Sequence, residues 1–137
     1  MVPVIRLTFM RYAMFIVPAV YAIDPEHAMP SAEMVEKMMA YNEELAQAGA
    51  LLSLDGLHPP AVGARLVFTE DGVELEEVAA EGAVGGYWVI EVDSHEAAVA
   101  WASRVPALPG DVVELRRIQE MEDFPEDVQD VVNTFDI

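Results

Sequence analysis

RYAMFIV at positions 11–17 is short, apolar and β-prone, and Pro18 stops it, so the pattern predicts a first strand. A loop through YAIDPEHAMP follows. Pro30 and Ser31 then introduce a helix with Ser31 as N-cap, and because Met34 stands at N3 there is no capping box. Met34, Met38, Tyr41 and Leu45 recur at helical spacing and form one apolar stripe, and Gly49 ends the helix as a C′ residue. ALLSL at 50–54 is a second strand, cut off by Asp55-Gly56 and then by Pro59-Pro60. ARLVFT at 64–69 is a third, and the tight-turn signal Glu70-Asp71-Gly72 lets VELEEV at 73–78 pair back as a hairpin arm. GGYWVIEV at 85–92 is the clearest strand in the chain. Asp93-Ser94 start a second helix, HEAAVAWASRV, with Ala97, Ala98, Trp101 and Val105 on its inner face. VVELRRI at 112–118 is the last long strand, and EDVQDVVNTF after Pro125 reads as one short terminal helix.

This βαββαβ order predicts an α+β, ferredoxin-like sandwich, with two helices on one face of an antiparallel sheet. Alternation says what the other face carries. Trp88, Ile90 and Val92 suit packing under helices, which leaves Tyr87, Val89 and Glu91 outside; Val112, Glu114, Arg116 and Ile118 lie opposite Val113, Leu115 and Arg117. With Arg65, Val67 and Thr69 assigned to the same outer face, that face is apolar enough to need cover yet has charges embedded in it. Two such sheets packed face to face would enclose a semi-polar cavity, so a homodimer is expected. The expected organisation is an extension over 1–9, with Met10 as an alternative start, one domain over 10–124, and an acidic tail over 125–137.

At 137 residues the chain needs no second domain. Its formal net charge of −18 repels phosphate backbones and anionic membrane surfaces, so nucleic acid and membrane are not expected partners. No apolar run approaches the about 20 residues that span a bilayer. MVPVIRLTF is too short for a secretory signal, and a soluble, cytoplasmic protein is expected. The absence of cysteine removes disulfides, thiol nucleophiles and thiolate metal sites. Bases are scarce: Lys37 is the single lysine, and the arginines are Arg6, Arg11, Arg65, Arg104, Arg116 and Arg117. Those placed inside strands invite a specific role, whereas the acids of ELEE at 74–77 and of the tail suit solvated surface.

Four stretches in order, MRYAMFIVP, EELAQAGALLSLDGLHPPAVGAR, GGYWVIEVDSHEAAVAWASRVP and VELRRIQEMEDF, resemble the YCII-related family in its DGPF-domain branch, over roughly residues 10–124. The Asp-Gly-Pro-Phe tetrapeptide of that branch is absent; ELEEVAAEGAV stands in its place, and Asp71-Gly72 belongs to the hairpin turn. The resemblance implies a dimeric α+β barrel of two ferredoxin-like subunits packed sheet to sheet. It also implies small organic ligands: some members resemble lactone dehalogenases or lyases, and the wider superfamily includes muconolactone isomerases and cofactor-independent monooxygenases.

Within that frame, His58 has the chemistry of a general acid or base near neutral pH, and Asp55, three residues earlier, could orient it. The plainer alternative is a rigid turn with an exposed imidazole ahead of two prolines. His27 resembles in position the histidine that many relatives place near the first helix and is a second acid/base candidate. His95, at the start of the second helix, reads as structural. Arg65, Tyr87, Glu91, Glu114 and Arg116, with Arg11 on the first strand, either orient an anionic substrate or form ion pairs across a dimer interface. No HExxH or i, i+4 histidine pair points to a metal, and no cofactor is implied. The sequence therefore favours a small-molecule-binding dimer with cofactor-free lyase, isomerase or cyclase chemistry. A non-catalytic ligand-binding or protein-interaction domain and a cofactor-independent oxygenase are the alternatives.

Overall fold

A computed structural model describes residues 9–26 and 28–137. Its main sheet contains β1 (Met10–Val17), β2 (Leu51–Gly56), β5 (Gly86–Val92) and β6 (Val112–Arg117) in the order β2-β5-β1-β6, and every neighbouring pair is antiparallel. Helices α1 (Ala32–Gln47) and α2 (His95–Ser103) cross over between these strands, so each βαβ unit is split by a strand of the other, as in the ferredoxin-like fold. A short helix α3 (Glu126–Asn133) ends the chain. Among the described residues no helix is long and apolar enough to cross a membrane.

The local signals at the helix ends act as the sequence predicts. Ser31 Oγ accepts from the Met34 N–H at 3.2 Å, and Ser94 Oγ accepts from the Ala97 N–H at 3.0 Å, each satisfying a first-turn donor that has no partner within its helix. Gly49, with φ +73°, turns the chain out of α1 into β2.

The helices bury one face of the sheet. Tyr12 and Met14 of β1 and Trp88, Ile90 and Val92 of β5 pack against Tyr41 and Leu45 of α1 and Ala98 of α2. One polar side chain, Asn42, lies in this core, and its Oδ1 accepts the Trp88 Nε1–H at 2.7 Å. Tyr41 donates to the Trp101 carbonyl at 2.7 Å, and burial pushes its phenol up to about 12. His95 Nδ1 lies 3.2 Å from the Tyr12 hydroxyl, which gives this histidine the structural place expected of it.

Two expectations change. ARLVFT does form a strand, β3 (Arg65–Thr69), but it pairs only with β4 (Gly72–Glu76) in a separate two-stranded ribbon, so the second strand of the sandwich is followed directly by β5. Arg65 therefore leaves the outer face of the main sheet. In addition, Asp55-Gly56 does not end β2; both residues pair with β5, opposite Tyr87 and Gly86. The backbone angles they favour are compatible with an edge strand, and cross-strand hydrogen bonding outweighs the turn preference.

Candidate functional site

The outer face of the sheet can be read row by row from the register. Asp55, Tyr87, Phe15 and Glu114 lie side by side across all four strands. The next row is Ser53, Val89, Ala13 and Arg116, and beyond it Arg11 stands opposite Glu91. The centre is thus apolar, with half-buried Ala13, Phe15, Val17 and Val89, and the ionisable groups lie around it. Of the outer-face residues expected from alternation, Tyr87, Glu91, Glu114, Arg116 and Arg11 come together here, and Asp55 joins them.

Two of these groups already have firm partners. Tyr87 donates its hydroxyl to Asp55 Oδ2 at 3.0 Å, and this bond, with the charge of the carboxylate, raises the phenol above its ordinary value. Arg11 forms a bidentate pair with Glu120, Nε to Oε1 at 2.6 Å and Nη2 to Oε2 at 3.2 Å. The guanidinium holds the Glu120 carboxyl below the usual carboxylate range, first through the hydrogen bond and then through its charge. Arg116 has no ion-pair partner among the described residues, while Arg65 on the ribbon lies 3.7 Å from Glu76.

Where β2 leaves the sheet, the chain is held by glycines. The Gly85 carbonyl accepts from the Leu57 N–H at 2.9 Å, and the Gly85 N–H donates to the Ile16 carbonyl at 2.7 Å. A Cβ on Gly85 would stand 2.6 Å from the Pro18 ring, so only glycine permits this approach. Leu57 is thereby placed, and His58 follows it, exposed, ahead of the buried pair Pro59 and Pro60. A short 3-10 turn over Pro60–Val62 then closes the loop.

This loop and the segment 78–84 wall an open pocket of about 400 Å³, lined by Leu57, His58, Val62, Val78 and Val84 among others. Among the described residues, His58 is its only ionisable lining residue, and no hydrogen bond or ion pair engages the imidazole. Asp55, expected to orient His58, instead accepts from Tyr87. On the far side of Val78 a second concavity is lined by Pro25, Glu26, Ala61 and Glu77, where the Ala61 N–H reaches the Pro25 carbonyl at 3.4 Å. The loop that precedes the first helix thus docks on the loop that follows His58. His27 itself lies outside the described residues.

Sequence reasoning missed the Asp55–Tyr87 and Arg11–Glu120 pairs and the pocket wall at Val78, Ala83 and Val84. No local signal encodes them, because each joins segments far apart in the chain. Among the described residues no cluster of three or more histidine, aspartate or glutamate side chains is placed to hold a metal ion.

A four-stranded antiparallel sheet with one helix-covered face and one mixed outer face is a ferredoxin-like α+β sandwich. Residues 10–122 match the YCII-related domain, and the chain belongs to that family. A search of curated proteins finds no match to this chain.

Proposed function

We propose that this YCII-related chain is a homodimer, packed through the outer faces of its sheets, that binds a small organic metabolite at the end of the sheet where β2 leaves it. His58 would move a proton there without a cofactor, in lyase, isomerase or cyclase chemistry. The observation that carries this reading is the one imidazole in an otherwise apolar pocket, unengaged by any described neighbour. Such a group keeps both ring nitrogens for a ligand, and an imidazole can both give and take a proton. Arg116, without an ion-pair partner among the described residues, would hold an anionic part of the ligand, with Glu114 and the Asp55–Tyr87 pair nearby. Glu91 and Arg11 lie one row further off, Arg65 is a candidate on the ribbon, and His27 is a second acid/base candidate.

A second reading, a ligand-binding or protein-interaction domain without catalysis, is favoured by one specific feature: among the described residues no carboxylate bonds His58, and Asp55 instead accepts from Tyr87. The two readings separate on a panel of unsaturated lactones and short oxo acids, screened by thermal melting and then by NMR for product. For a compound that is turned over, His58→Gln is expected to lower the rate about 100-fold while the melting shift persists. Unchanged turnover in that variant sinks the role of His58. Melting shifts with no product from any compound favour binding alone.

A further inference from the structure

Among the described residues, two apolar faces of this chain stand without cover. In the β3–β4 ribbon, Leu66 pairs with Leu75 and Phe68 with Val73, so the four side chains share one face. Phe68 is 79% exposed and Leu75 74%. An isolated two-stranded hairpin is at best marginally stable in water, so a ribbon that projects an apolar face implies a surface that receives it. In α3, Val128, Val131 and Val132 follow an i, i+3, i+4 stripe, and Phe135, just past the helix end with its N–H on the Val132 carbonyl, continues it and is 64% exposed. Ribbon and helix are each amphipathic, and each leaves its apolar side open.

Their roots occupy opposite corners of the sheet. The ribbon springs from the β2 edge at the end where β1 finishes, because Gly56 of β2 and Ile16 of β1 both pair with Gly86. The chain leads to α3 from the β6 edge at the end where β1 begins, since Tyr12 pairs with Arg117, and Glu120 is anchored to Arg11 there. With two sheets face to face, a two-fold axis in the plane between them, running along the other diagonal, carries each ribbon root onto the partner's α3 root. The same operation carries α3 onto the ribbon, so the contact closes on itself and no edge is left for a further copy. Strands of the two sheets then cross steeply, as in orthogonal sheet packing.

The geometry points to reciprocal arm exchange in a homodimer: the apolar face of one copy's β3–β4 ribbon lies on the apolar stripe of its partner's α3. This inference rests on the face-to-face dimer proposed above. Covering eight aliphatic and aromatic side chains per copy removes on the order of 1,000 Å² from water, the size at which a protein interface becomes specific and stable. The occupant is a second copy of this chain because one symmetric contact covers both open faces at once. It also sets the base of the ribbon, next to the His58 pocket, against the partner.

The chain contains no cysteine, which makes cross-linking clean. Leu75→Cys and Val132→Cys are made singly and together, and oxidised at micromolar concentration. The double variant is expected to run as a covalent dimer on non-reducing gels; mixing the two single variants is expected to give the same band, and neither single variant alone should. Phe68→Ser is expected to raise the dimer dissociation constant tenfold or more, with the thermal melt of the sandwich retained. If wild type and variants all sediment as dimers but no inter-subunit bond forms, or Phe68→Ser leaves the dissociation constant unchanged, arm exchange is overturned and the face-to-face dimer stands. A cross-link within one chain overturns arm exchange as well. A wild type that sediments as a monomer overturns both.

Discussion

His58 and Asp55 stand three positions apart, a separation that suggests a couple, yet the structure gives Asp55 to Tyr87. The reason is the pleat: in an edge strand a side chain meets the residue opposite it on the neighbouring strand, not one further along its own chain. Arg11 shows the same rule. Its spacing identifies an outer-face cation, but only the path of the tail after β6 makes Glu120 its partner. That pair has a pH consequence. Because the folded-state pKa of Glu120 lies below its unfolded value, the pair contributes stability above the ordinary carboxylate range and loses it as pH falls through the lowered value. Glu120→Gln is therefore expected to flatten the acid limb of stability, read by thermal melts between about pH 3 and 7; an unchanged acid limb shows that the pair contributes nothing to folding. Asn42 lies one position beyond the apolar stripe of its helix, and only the place of Trp88 in the neighbouring sheet explains why an amide is buried there.

The elements of the sandwich were legible from periodicity and punctuation, and the caps at Ser31 and Ser94 and the C′ glycine at Gly49 mark their ends well. The pairing of ARLVFT was not. A strand in the main sheet and a strand in a detached ribbon show the same alternation, and the choice between them depends on what the rest of the chain can reach. The Gly85-Gly86 pair illustrates what such tertiary choices demand. Gly85 lies against the Pro18 ring, and a Cβ on Gly86 would stand 3.1 Å from the Asp55 carbonyl oxygen, so the start of β5 is threaded between β1 and β2. Gly85→Ala is expected to cost about 1–3 kcal/mol in denaturant unfolding, since an added methyl meets a rigid ring. A cost near zero would show that Pro18 moves aside, and the loop carrying His58 would then have to be looser than the hydrogen bond from Leu57 implies.

Charge acts on the assembly as a whole. The proposed dimer would bring together two chains of net charge −18, and apolar burial would have to hold it against that repulsion. Screening should therefore help: between about 50 and 500 mM salt the dimer dissociation constant is expected to fall several-fold in sedimentation experiments. A constant that rises with salt would mean that attractive ion pairs, not the apolar sheet centre and arms, carry the contact. Taken by itself, the sequence determined the α+β class, the order of strands and helices, the two sides of each strand and the family resemblance now borne out over residues 10–122, because hydrophobic period and capping chemistry are local properties. Only the tertiary structure decided that the ribbon stands apart, that Arg65 leaves the sheet for Glu76, that Asp55 serves Tyr87, and that His58 lines an apolar pocket with a segment some twenty residues away. Each of these is a contact between distant parts of the chain, and its geometry follows from which strands pair, a matter of global packing that no single stretch encodes.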